Sequence, residues 1–223
     1  MGNVIGGILP LALGVAISPV PIIAVILMLF SKRAKRNSLL FLLGWVLGLV
    51  VSAAIVYVIA DAANVSTSSG PSRGASILRI LLGLLLFFAA FRQWRKRPKH
   101  GEEPVMPKWM ASIDSFTAGK SLGLAALLSG INPKNLALTL SASVAVAQSG
   151  LGAGSVILVF VIYILIASAT VAAPVLIYLI MGDKAAKTLD TWKAWLTENN
   201  GTVMFVLFLV FGMVLLGKGI SGL

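Results

Sequence analysis

Six runs of apolar residues, separated by short polar or charged stretches, set the pattern of this chain. They cover residues 3–30, 38–60, 76–91, 121–147, 153–181 and 202–219. A membrane-spanning helix needs about 20 mostly apolar residues. All six runs reach or approach that length; the third is the shortest and carries Arg79 near its start. Pro19 and Pro21 interrupt the first run, Pro133 interrupts the fourth, and Pro174 lies near the end of the fifth. The pattern predicts an all-α integral membrane protein with six transmembrane helices, of which helices 1 and 4 are broken by proline. The first run has no basic residue before it and is too long for a signal peptide, so it reads as a retained helix.

Two further segments carry a helical face without being apolar throughout. Residues 185–199 place Leu189, Trp192 and Leu196 on one side, broadened by Trp195. Residues 106–116 bring Trp109, Ile113 and Phe116 together. Both are expected to lie at the cytoplasmic interface as amphipathic anchors, with a lipid or substrate access platform as the functional alternative. Residues 61–75, rich in Ser, Gly and Asn, read as an ordinary loop.

Composition agrees with the pattern: 58% of residues are hydrophobic, 11% are charged, and the mean hydropathy is +0.99. The net charge of +11 raises the question of nucleic acid. Its distribution answers against it, since 14 of the 18 basic residues fall in three alternate loops, after helices 1, 3 and 5. That is the positive-inside pattern. It places those loops in the cytoplasm and both termini outside, in the cytoplasmic membrane, with contacts to anionic membrane lipids following from the same charge. No nucleic-acid partner is expected. There is no cysteine, and the single histidine, His100, sits in a charged loop, so neither metal nor thiol chemistry is expected. No buried acid or base suited to hydrolysis or transfer is visible, so no enzyme activity and no cofactor are expected.

The chemistry gathers at the two helix breaks. Ile17-Ser18-Pro19-Val20-Pro21 and Ile131-Asn132-Pro133-Lys134-Asn135 share an outline, 114 residues apart, each in the middle of a long apolar run. Matching breaks in two halves of three spans each imply inverted repeats, related by a pseudo-two-fold axis in the membrane plane. The expected parts are a first repeat over 1–91, a basic cytoplasmic loop over 92–118 and a second repeat over 119–223. Proline removes a backbone N–H and obstructs the preceding turn, so Pro19, Pro21 and Pro133 are expected to open each helix for a turn or more. Freed backbone groups must then be buried in protein or line a wet cavity. New helix N-termini near Val20 and Lys134 bring partial positive charge, and Lys134 adds a full one. The centre suits an anionic group, with Ser18, Asn132 and Asn135 as hydrogen-bonding neighbours and Thr139, Ser141 and Ser143 continuing the polar stripe. The competing reading is that Lys134 satisfies freed carbonyls or pairs with a carboxylate, although no acid lies deep in any run. Gly44-Trp45-Val46-Leu47-Gly48 is a GxxxG pattern, suited to helix packing within the chain or in a homodimer.

The Ser-Pro-x-Pro break, the basic first loop and the stretch from Leu127 to Leu136 resemble the LysE superfamily of small membrane exporters, and within it the GAP branch of glycopeptidolipid- and sulfolipid-addressing proteins. The resemblance implies export of a lipid-linked or anionic amphiphilic envelope component by alternating access. Ser-Pro-Val-Pro departs from the Pro-Gly-Pro of amino-acid exporters. Efflux of a small amino acid or ion, and a non-transporting scaffold for lipid-synthesis or export machinery, are the alternative readings.

Overall fold

In the computed structural model, residues 1–62, 66–67, 70–71, 73–95 and 108–223 are described. Eight α-helices account for nearly all of them: α1 Gly2–Ala16, α2 Pro19–Leu29, α3 Ala34–Ala62, α4 Arg73–Arg95, α5 Ala118–Gly130, α6 Pro133–Ala147, α7 Ala153–Met181 and α8 Ala186–Ile220. A two-residue antiparallel pairing of Ser66–Thr67 with Gly70–Pro71 lies between α3 and α4.

Apolar side chains point outward as well as inward. Phe88, Leu165 and Ile180 are 65%, 67% and 84% exposed. Exposure on that scale across several helices is what a lipid-facing surface requires, and α3, α4 and the stretch 153–220 are long and apolar enough to cross a bilayer. The pair α1 and α2, bent by 51° at its break, qualifies when taken as one span. The fourth apolar run is broken where expected, but its two helices, unlike α1 and α2, do not qualify together as one span. It is divided into helices of 13 and 15 residues, with Ile131 and Asn132 between them and Pro133 opening the second helix.

The remaining helix boundaries move outward from the apolar runs. The third run becomes a 23-residue helix ending at Arg92 and Arg95, whose positive charges suit a helix C-terminus. Residues 185–199 are not a separate interfacial helix: they form the first turns of α8, continuous to Ile220. Gly182, with φ 57°, and a 3-10 turn at Gly182–Ala185 separate α7 from α8. Lys108–Ser115 is a 3-10 helix docked beside α2. Its Met110 and Ile113 are buried in the core, and Phe116 accepts a hydrogen bond from Asn37 Nδ2 at 2.9 Å. That segment is therefore packed into the protein, in place of the expected surface anchor; Met106 and most of the basic loop, residues 96–107, lie outside the described residues.

Packing follows small residues. α3 lies along α5 so closely that a Cβ at Gly44 would stand 2.1 Å from the Leu122 carbonyl oxygen. At Gly48 it would stand 2.1 Å from Ser129 Oγ. The GxxxG face thus serves a contact within the chain. α4 packs along α8, α1 against α6 and α7, and α2 against α3, α7 and α8.

Candidate functional site

The two breaks meet in the middle of the fold, and each is shorter than the prolines alone suggest. Only Ile17 and Ser18 separate α1 from α2, and only Ile131 and Asn132 separate α5 from α6. Pro19 and Pro133 each occupy the first position of a new helix. There the missing N–H would have had no partner anyway and the fixed φ is already helical. The prolines start helices here, so neither helix is opened for a full turn.

Four carbonyls at the end of α1, Gly14 to Ile17, have no ordinary helical partner, and every one is supplied. Lys134 Nζ donates to Gly14 O at 2.6 Å and to Ile17 O at 2.7 Å. Ser18 Oγ donates to Val15 O at 2.7 Å. Ala16 O accepts from Ser18 N at 2.8 Å and from the Thr170 hydroxyl of α7. The third hydrogen of the ammonium goes to Ser18 Oγ at 2.8 Å. An ammonium has three donors and no acceptor, so Lys134 is fully engaged. It is 1% exposed and among the largest fully buried side chains. Its charge lies at the C-terminal end of α1, where the helix dipole is negative. Among the described residues the one ion pair, Lys193 with Asp190, is elsewhere. Carbonyl oxygens, then, and not a carboxylate, accommodate this cation.

The second break is bonded mainly by its own residues. Asn132 Oδ1 caps its own helix by accepting from Lys134 N at 3.1 Å. Asn135 Nδ2 reaches back to Leu128 O at 3.0 Å, and Asn135 Oδ1 lies 3.3 Å from Ser18 Oγ. One turn on, Thr139 shares a hydrogen bond with Tyr163 of α7 at 3.0 Å. Of the residues expected from sequence, Lys134, Asn135 and Ser18 form one connected cluster. Asn132 acts locally, Pro19 and Pro21 are buried, Pro133 is exposed, and Thr139 belongs to a neighbouring contact. Ser141 and Ser143 are buried without a hydrogen-bond partner among the described residues. Sequence reading missed Thr170 and Tyr163. Thr170 had a signal: Pro174, four residues on, removes the N–H that would have bonded the Thr170 carbonyl.

Two apolar grooves open beside the breaks. One, of about 510 Å³, is lined by Gly48, Val51, Ile55, Leu127, Ile131 and Leu136 and adjoins the second break. The other, of about 440 Å³, is lined by Ile22, Thr170, Trp192, Trp195 and Leu196 and adjoins the first. Among the described residues no group of His, Cys, Asp or Glu is arranged to hold a metal ion. The arrangement offers a buried cation, hydrogen-bonding side chains and apolar surface close together.

The family model described as Sap, sulfolipid-1-addressing protein, matches residues 8–221. No curated protein and no solved structure matches the chain.

Proposed function

This chain belongs to the sulfolipid-1-addressing protein family, and from that premise we propose that it moves an anionic amphiphile, a lipid-linked envelope component, across the cytoplasmic membrane by alternating access. The observation that carries the reading is the bond set of Lys134, a side chain from one break that completes the carbonyls of the other. Rocking one half against the other must release or carry those bonds. In the released state the ammonium regains donors and supplies the counter-charge for an anionic headgroup, while the apolar grooves accommodate acyl chains.

The inverted-repeat architecture is part of this proposal. Two sets of elements correspond: α1 to α4 over 2–95 and α5 to α8 over 118–220, joined by the basic stretch between them. α3 and α7 are both 29 residues long. The close pairing of α3 with α5 has its counterpart in α7 with α1, and α4 pairs with α8. Those are the pairings that a two-fold relation between halves would produce. The stretch 153–220 has 68 residues; as helix it would run about 100 Å, over three times the hydrocarbon thickness. A crossing by each of α7 and α8, with α5 and α6 counted as one further broken span, gives six spans in all, with both termini outside.

The test uses the absence of cysteine in the chain. Ser18→Cys with Asn135→Cys places two thiols across the breaks. In reconstituted vesicles, oxidation should stop movement of an anionic amphiphile and reduction should restore it. Undiminished movement by the oxidised protein would sink the rocking mechanism. The same vesicles loaded with amino acids distinguish lipid movement from small-solute efflux. A wild-type protein that moves neither would leave the scaffold role in its place.

A further inference from the structure

At the opposite end of α4 from its basic C-terminus, a second cationic group is built into the fold. Arg79 is 8% exposed, and its Nη2 donates to Gln148 Oε1 at 2.7 Å. Lys218 of α8 donates to Gly7 O at 2.8 Å and precedes Gly219, which packs on α4 at Ser76 and Ile80, one turn from Arg79. The two helices are in close contact here: Ser76 Oγ donates to Gly222 O at 2.8 Å, and a Cβ at Gly219 would stand 2.9 Å from Ser76 O. Among the described residues, the hydrogen bonds of both cations therefore go to neutral oxygens. Asp61, at the end of α3, is the only acidic residue before His100. It is exposed and makes no ion pair among the described residues.

Donors remain unused. A guanidinium carries five N–H groups and an ammonium three. Gln148 Nε2 is buried without a hydrogen-bond partner among the described residues. With its Oε1 committed to Arg79, the amide orientation is fixed and its N–H groups stand beside that guanidinium. Two like charges held together at a membrane helix interface are unfavourable unless something negative joins them. An arginine fork and an amide match the several oxygens of a tetrahedral anion.

We propose that Arg79, Lys218 and Gln148 form a binding site for an oxyanion, a sulfate or phosphate group, between the outer ends of α4, α6 and α8. The site is separate from Lys134, and its occupancy is measured without transport. The anion arrives either free or as a lipid headgroup.

The experiment is equilibrium binding to the full chain in nanodiscs. In phosphatidylcholine discs, radiolabelled phosphate and sulfate are titrated. In discs containing phosphatidylglycerol, retained lipid is counted by native mass spectrometry. Saturable binding of the free anions identifies a free-anion site. Selective retention of phosphatidylglycerol without free-anion binding identifies a headgroup site. Either result requires a loss of about tenfold in Lys218→Met, the scale of one charge-assisted hydrogen bond. Lys120→Met, on an exposed position of α5, should bind as wild type. Should Lys218→Met fail to fold, Gln148→Leu removes the amide donor with both cations in place and should lower binding severalfold. The proposal is overturned if wild type shows neither kind of binding, or if binding is unchanged in a folded Lys218→Met or Gln148→Leu protein.

Discussion

The two helix breaks look alike in sequence and differ in what they depend on. The second is capped by its own Asn132 and braced by its own Asn135. The first has a buried Ser18 at the cap position without a side-chain cap bond. Its carbonyls need Lys134 from α6 and Thr170 from α7. A break bonded mainly by its own residues can move as a unit. A break completed from the other half of the chain ties the halves together. The difference assigns Lys134 a place: it sits in the second break but completes the first.

The strongest way to break this contrast is Lys134→Met. The substitution strands Gly14 O and Ile17 O in the interior, and each buried unsatisfied carbonyl costs about 1–3 kcal/mol. We expect a destabilisation of several kcal/mol and the loss of transport, measured by unfolding in detergent and by the vesicle assay. Hydrogen exchange should increase at the end of α1 and not in α6. Exchange confined to α6 would reverse the assignment. Next in size is Gly44→Val, which drives a side chain into the Leu122 carbonyl of α5. Overpacking of this kind costs about 1–3 kcal/mol or more. Gly154→Val, where nothing lies within 4 Å of the added carbon, should change the melting temperature little. Equal effects at the two glycines would remove the case that the GxxxG face is filled from within the chain.

Much of this was legible because it rests on period and punctuation. Apart from the start of α8, the apolar runs match the helices to within a few residues, and Ser18-Pro19 and Asn132-Pro133 mark both breaks. The extent of the breaks was misjudged, because proline was weighed as a breaker inside a helix when it stands at the first position of a new one. The state of Lys134 was legible only as an alternative. Nothing in the residues near it says that four carbonyls 117 to 120 positions earlier await donors. Pro174 marks a freed carbonyl at Thr170, but neither it nor the period of the run around Tyr163 says which break these side chains meet. The continuity of α8 was missed because residues 185–199 carry charge, yet charge on one face of a helix does not end it.

The smallest expected effects give the sharpest comparison, since they fall on the two cap residues. Ser18→Ala removes one acceptor of Lys134 and the donor to Val15 O. Asn132→Ala removes one cap, typically about 1 kcal/mol. Each alone should cost about 1–2 kcal/mol, so single values do not separate them. Their coupling to Lys134→Met does. Ser18 and Lys134 share a bond at 2.8 Å, so the double variant should fall short of the sum by 0.5 kcal/mol or more, the range expected for residues in one network. The Asn132 side chain accepts from the backbone N–H of residue 134, which methionine keeps. Its double variant with Lys134→Met should therefore be additive. Additivity at Ser18, or coupling at Asn132, would mean that the two breaks are held in the same way after all.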